Sequence, residues 1–166
     1  MSGELLNEAG LGACADVIDL PYRFGGTEYR ITALSMGNPH CVIFLEEDVR
    51  DFDLQTAGKE IGKHPLFPEG VNVEFVNVLS QKHVRMRVYE RGSGETMACG
   101  TGACAAAAAS FLNGKTGRDV TVSLLGGDLE ISFDEASGTI FMTGPAKEVF
   151  EGDVTLLPDA AAESRT

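Results

Sequence analysis

The residues with the most chemical potential lie in Met97-Ala98-Cys99-Gly100-Thr101-Gly102-Ala103-Cys104. Two glycines bracket Thr101 just before an alanine-rich stretch that is expected to be helical. A turn of this kind leaves several N–H groups at the helix N-terminus without carbonyl partners, and a carboxylate or phosphate can bind there. Cys99 sits at the same positive end, where a thiolate is stabilised and the thiol pKa is expected to fall. Together they describe a nucleophile or base beside an anion-binding turn. The plain alternative is a small buried filler next to a tight turn. Cys104 lies about 140° round a helix from Cys99 by the 3.6-residue period, and is expected in the core. Cys41, inside the apolar run 41–45, is expected there too.

Other polar residues could serve such a centre. Glu90-Arg91-Gly92 ends a strand-like stretch. A Glu–Arg pair in that place is commonly a solvated rim, but arginine also suits bidentate carboxylate binding. Gly37-Asn38-Pro39-His40 reads as a turn between two strands, and His40 is a poised acid–base group only if it faces a cleft. Asn72 stands on the outer phase of the valine-rich stretch 71–79 and is expected to face water. His64 and His83 read as surface or loop residues without a role.

These residues must be positioned by a fold. Residues 1–28, with scattered glycine and alanine and with Pro21 and Gly25-Gly26 as breakers, are expected to form an arm or a remnant of a preceding unit. Strand-like patterning begins at Tyr29. Residues 29–36 alternate, and 41–45 form a continuous apolar run of the buried-strand kind. Residues 53–63 read as a short helix with Asp53 as N-cap and Pro65 closing it. Val84, Met86 and Val88 alternate with Arg85, Arg87 and Tyr89, as in a strand with one wet face. Residues 103–112 carry no charge, so this helix must be surrounded on nearly all sides. Strands are expected at 120–125, 129–133 and 139–143, and 158–166 as a flexible tail. The fold class expected is α+β: a mostly antiparallel sheet wrapped around a central buried helix, with a single core and a lobe spanning 29–157.

A chain of 166 residues is long enough to bury a sizeable core without staples. The 43% apolar and 23% charged content is that of a globular protein. The net charge of −12 argues against nucleic acid or an anionic membrane surface as partner. No apolar run approaches the length of a membrane span, and the N-terminus reads without a secretory signal. The cysteines at 14, 41, 99 and 104 lack zinc-site spacing and are too few for a disulfide framework, so no metal and a cytoplasmic setting are expected.

Three ordered stretches carry a resemblance. They are Met36-Gly37-Asn38-Pro39-His40, the run from His64-Pro65-Leu66 through Val71-Asn72-Val73-Glu74-Phe75, and the run from Arg87-Val88-Tyr89-Glu90-Arg91 through Cys99-Gly100-Thr101-Gly102-Ala103, with Gly144-Pro145-Ala146 and Phe150-Glu151-Gly152 near the end. They resemble the C-terminal half of diaminopimelate epimerase. The resemblance implies an isomerase of lysine and cell-wall precursor biosynthesis. It would need no cofactor and would convert LL- to meso-diaminopimelate by proton exchange between two cysteines, one from each of two lobes. On that basis Cys99 matches the C-terminal lobe's cysteine. Gly100 and Thr101 match the helix end that takes the reacting carboxylate. Asn38, Asn72, Glu90 and Arg91 match substrate-holding positions, Arg91 at the distal carboxylate. His40 and Glu90 match the polar neighbours that tune the thiols.

The first lobe's cysteine belongs to an Asn-Gly-x-Arg-Cys type motif, which this chain lacks, and Cys14 does not resemble it. The expectation is that the chain supplies one half of an active site. Its implied partners are diaminopimelate and the missing N-terminal lobe, with a homodimer as a further candidate. A non-catalytic binding or interaction domain derived from that lobe, or a related amino-acid racemase, stands as the alternative.

Overall fold

The computed structural model describes residues 17–134 and 136–155. The tail expected at 158–166, and Cys14 with the first part of the expected arm, lie outside the described residues. Strands β1 (Val17–Phe24), β2 (Thr27–Ser35) and β3 (Pro39–Phe44) are followed by helix α1 (Leu54–Gly62). Next come β4 (Asn72–Ser80), β5 (His83–Glu90), the two-residue β6 (Gly94–Glu95) and helix α2 (Gly100–Leu112). The chain continues through β7 (Asp119–Leu124), β8 (Gly127–Asp134) and β9 (Thr139–Thr143). One sheet holds all the strands in the order β1-β2-β3-β4-β5-β7-β8-β9, with β6 paired to β5. The fold is therefore α+β, as expected. The sheet starts earlier than expected, however: Val17–Phe24 is a strand paired with β2 inside the stretch read as an arm. Pro21 is tolerated because β1 is an edge strand, where its missing N–H interrupts no ladder on the open side.

Two pairs of neighbours are parallel, β3 with β4 and β5 with β7; the others are antiparallel. Parallel neighbours need a crossover, and α1 and α2 supply one each. Both crossovers step the same way across the sheet while their strands run in opposite directions. Right-handed crossovers then put the two helices on opposite faces. The buried residues agree. Leu54, Ala57 and Ile61 of α1 pack with Cys41, Ile43, Val73 and Phe75. The alanines of α2 pack with Val42, Val76, Val84, Met86, Val88, Val120, Val122 and Ile131. The single core expected is thus two, one on each face of the central strands.

Asp53 caps α1 as expected, accepting from the Thr56 N–H at 3.2 Å. Gly58 lets α1 settle on β5, because a methyl there would stand 2.5 Å from Tyr89 Cβ. The face of β5 read as wet is consequently covered: Arg87 donates to Glu95 Oε1 at 2.6 Å and to the carbonyls of Val49 and Phe52 at 2.7 and 3.0 Å. Helix α2 lies against β2, β3, β4, β5, β7, β8 and β9, which is the wrapped arrangement expected. Its small side chains bring these strands close; each methyl contributes only about 0.8 kcal/mol of burial. It is not buried all round. Thr101 and Leu112 are exposed and Cys104, Ala108 and Phe111 are half-buried, a stripe at helical spacing. Alanine has no polar face to mark an open side, which is why the pattern hid it. Among the described residues no helix is long and apolar enough to cross a membrane.

Candidate active site

The topology gathers the polar residues along one end of the central strands, a polar edge that runs across them. Pro39 and His40 open β3, Asn72 opens β4 and Glu90 closes the antiparallel β5. Register sets His40 beside Asn72 and Val73 beside Tyr89. A contact of 3.4 Å from Asn38 Nδ2 to Thr101 Oγ1 brings the start of α2 to the same edge.

Cys99 is the N-cap of α2. Its backbone is extended, and its carbonyl accepts from the Ala103 N–H at 2.9 Å. Its sulfur accepts from the Gly102 N–H at 3.4 Å, the part a serine or aspartate oxygen ordinarily plays. Thr101 Oγ1 lies 3.6 Å from the same sulfur. The amides of Gly100 and Thr101 are first-turn donors that no intrahelical carbonyl can take. Gly102 is needed for space rather than for backbone freedom: a methyl there would stand 3.0 Å from Glu74 Oε1 and 3.2 Å from Cys99 Sγ.

The thiol differs from expectation in its pKa, and the cause is burial. Cys99 is only 8% exposed. Burial pushes its pKa above the ordinary thiol value; the Thr101 hydroxyl and Gly102 amide pull it down, and the charges of Glu90 and Glu74 add to the rise. The helix end does supply donors, as the spacing indicates, but loss of water outweighs them.

His40 is 1% exposed and faces the interior, not an open cleft. Its Nδ1 lies 2.7 Å from Glu74 Oε1 and its Nε2 lies 3.0 Å from Asn38 Oδ1. Glu74, which the sequence reading passed over, has no exposure at all, and burial pushes its carboxyl up against the opposing pull of His40. Its signal was period two: Asn72 and Glu74 are polar neighbours on one face of a valine-rich strand. That face is not wet. Asn72 is 5% exposed, and its Oδ1 accepts from the Arg91 N–H at 2.8 Å.

Arg91 is exposed and donates from Nη1 to the Glu69 carbonyl at 3.0 Å, its stem lying over Gly70. Glu90 is half-buried and accepts from the Thr96 hydroxyl. The structure thus joins Asn38, His40, Thr101 and Cys99 by direct contacts, and Asn72 to Arg91. Glu90 is near enough for its charge to be felt at Cys99. Cys41 is fully buried with its thiol pushed up by burial, as a core residue should be. Cys104 is half-buried rather than core, and its thiol is raised by burial and by neighbouring Cys99. His64 and His83 stand outside the site but are not free surface groups. His64 packs edge-on against Phe24, and His83 Nε2 lies 2.8 Å from Ser123 Oγ.

Comparison with known proteins supplies a context for this geometry. The family profile described as diaminopimelate epimerase matches residues 32–149. The diaminopimelate epimerase of Leptospira biflexa is 54% identical over 140 residues, which are 84% of this chain and 49% of that protein. That of Pelotomaculum thermopropionicum is 57% identical over 137 residues, 82% of this chain and 48% of that protein. That of Moorella thermoacetica is 52% identical over 145 residues, 87% and 52% respectively. The chain spans about half the length of these curated relatives. The matched region runs from β2 past β9 and holds Cys99, its helix and every residue of the polar edge, so the chain belongs to the diaminopimelate epimerase family.

Proposed function

We propose that this chain forms one half of a diaminopimelate epimerase active site, with Cys99 as one of two proton-transferring thiols and the other carried by a second lobe. The observation that carries the reading is the N-cap thiol. Cys99 Sγ accepts from the Gly102 N–H and lies 3.6 Å from the Thr101 hydroxyl, while the Gly100 and Thr101 amides beside it remain open to a carboxylate. A substrate α-carboxylate on those amides would bring its α-carbon to the sulfur. Charge that develops when the α-proton leaves spreads into that carboxylate, where the helix end stabilises it.

The burial of Cys99 supports a direction for the first transfer. A thiol raised above its ordinary value enters protonated and is the donor. A base on the opposite face breaks the α-C–H bond, and the Cys99 S–H delivers a proton to the carbanion. The thiolate left behind is held by Thr101 and Gly102 and serves as base in the reverse direction. The exposed Arg91 guanidinium suits the distal carboxylate, its backbone fixed by Asn72.

The test supplies the first lobe of the Leptospira biflexa relative, as a separate polypeptide or a fusion, and follows epimerisation and α-deuterium uptake by diaminopimelate in D2O. Amide shifts of Gly100 and Thr101 report binding to the chain itself. Cys99-dependent exchange supports the proposal. Binding with exchange that survives C99A, or neither binding nor exchange, overturns it; binding alone would mark a ligand-binding domain.

A further inference from the structure

Among the described residues Glu74 is the acidic side chain with no exposure, and its Oε2 has no partner. Its Oε1 begins a series of contacts that ends at the Cys99 thiol. The steps are 2.7 Å to His40 Nδ1, 3.0 Å from His40 Nε2 to Asn38 Oδ1, 3.4 Å from Asn38 Nδ2 to Thr101 Oγ1 and 3.6 Å from Thr101 Oγ1 to Cys99 Sγ. We propose that Glu74 is a positioning residue that acts through His40 and Asn38 to turn the Thr101 hydroxyl hydrogen toward the Cys99 sulfur.

The direction follows link by link from what each group can donate. One proton lies between Glu74 Oε1 and His40 Nδ1. A neutral ring with its hydrogen on Nδ1 would leave Nε2 bare and the charge of a buried carboxylate unbalanced; with the pair neutral, whichever atom holds that proton, the second is on Nε2. Nε2–H donates to Asn38 Oδ1, so Asn38 presents its NH2 group to Thr101. The Thr101 oxygen accepts there and points its own hydrogen elsewhere, and the Cys99 sulfur is the acceptor at hand. In either form the Glu74–His40 pair carries no net charge, the state a site without water tolerates. Gly102 keeps the ends of this chain close, with Glu74 and Cys99 both lying against its missing side chain.

Glu74 also acts on the thiol through space, and there the sign is opposite. As a nearby carboxylate it raises the Cys99 pKa, as Glu90 on β5 does. Removing Glu74 therefore lowers the pKa if charge dominates and raises it if orientation dominates. The Cys104 thiol, on α2 itself, is the other titrating group that senses Cys99, and no variant below alters it or Glu90.

The experiment is the pH profile of Cys99 alkylation by iodoacetamide on the full chain, with the labelled cysteine identified by peptide mapping. Glu74→Met keeps the volume and removes both anchor and charge. Its Cys99 midpoint should rise by about one pH unit, the worth of a hydrogen bond to a thiolate. Glu74→Gln can donate its amide to Nδ1 and keep hydrogen on Nε2, so its midpoint should not rise. Thr101→Val should raise the midpoint, and adding Glu74→Met should raise it no further. A midpoint that falls or stays put in Glu74→Met overturns the proposal, as does an additive double variant. Should Glu74→Met fail to unfold cooperatively, ring nitrogen NMR of the wild-type chain decides: a protonated His40 Nε2 near neutral pH supports the chain, an unprotonated one refutes it. The catalytic meaning of this device rests on the epimerase reading. Both measurements are made without substrate, so failure here leaves the deuterium-uptake test standing, and the reverse.

Discussion

Alanine in place of Gly102 sets two effects of opposite sign against each other. Gly102 lies in the first turn of α2, and replacing a helical glycine by alanine favours folding by about 1 kcal/mol. Against this, the new methyl would stand 3.0 Å from Glu74 Oε1, 3.2 Å from Cys99 Sγ and 3.3 Å from Cys99 Cβ. Neither neighbour withdraws cheaply. Glu74 has no exposure and holds His40 at 2.7 Å, and Cys99 Sγ would lose the Gly102 and Thr101 contacts on rotating away. Overpacking of this kind costs about 1–3 kcal/mol, and a lengthened hydrogen bond to His40 adds about 1 kcal/mol. The net is a loss of about 1–3 kcal/mol. For a domain of this size that is a drop in Tm of roughly 3–10 °C. Calorimetric unfolding of the two chains side by side measures it. A variant that melts a few degrees above wild type would show that helix propensity wins, that the carboxyl and thiol have room to move, and that the two are not tightly juxtaposed.

Gly58→Ala should cost more, about 3 kcal/mol, because the methyl would meet Tyr89 Cβ and Cγ at 2.5 Å, and these atoms are fixed to the backbone of β5. Denaturant unfolding should show a lower midpoint at unchanged slope; a midpoint at or above wild type would mean α1 does not sit on Tyr89 as described. Glu95 accepts from Arg87 at 2.6 Å, and both side chains are mostly covered, which holds the Glu95 carboxyl below its ordinary value of 4.5. A depressed folded value gives stabilisation that is complete above the ordinary value and is lost as pH falls through the folded one. Glu95→Gln should accordingly melt below wild type at neutral pH, with the gap closing in acid. A gap that persists undiminished through that range would remove the ion pair from the account.

Much of the fold was legible because the sequence obeys local rules. The N-cap of α1 is set by Asp53, which touches its own backbone, and such a signal survives without tertiary knowledge; α2 instead starts at Gly100, ahead of the expected 103–112, because a cysteine takes the capping part. β1 was missed because Pro21 and Asp19 break the pattern of a strand. Both are tolerated at a sheet edge, Asp19 at a positive φ of 51° with its carboxylate held by Arg30. The two-sided core was missed for a related reason. Alternation on β5 reports which side chains are apolar, whereas Arg87 and Tyr89 are partly covered by what lies over them, the α1 helix and the 49–52 loop.

The candidate site was legible in which residues come together and not in its electrostatics. Cys99 and Thr101 lie about sixty residues from Asn38 and His40 in sequence, yet the order of β3, β4, β5 and α2 brings them together; the glycine-flanked turn pointed to Cys99 and Thr101, whereas Asn38 and His40 were named by the resemblance. The thiol's state depends instead on how much water reaches it and which carboxylates face it. A helix N-terminus argues for a lowered pKa; the 8% exposure of Cys99 and the carboxylates of Glu90 and Glu74 reverse the sign. Glu74 escaped for the same reason, since one acidic residue in a valine-rich strand reads as its wet face until the alanine helix is seen to lie over it. The small side chains of α2 are what allow that closeness, and the missing side chain of Gly102 leaves the carboxyl and the thiol facing one another. Packing and acid–base chemistry are therefore set by the same residues, and a change made for one is felt in the other.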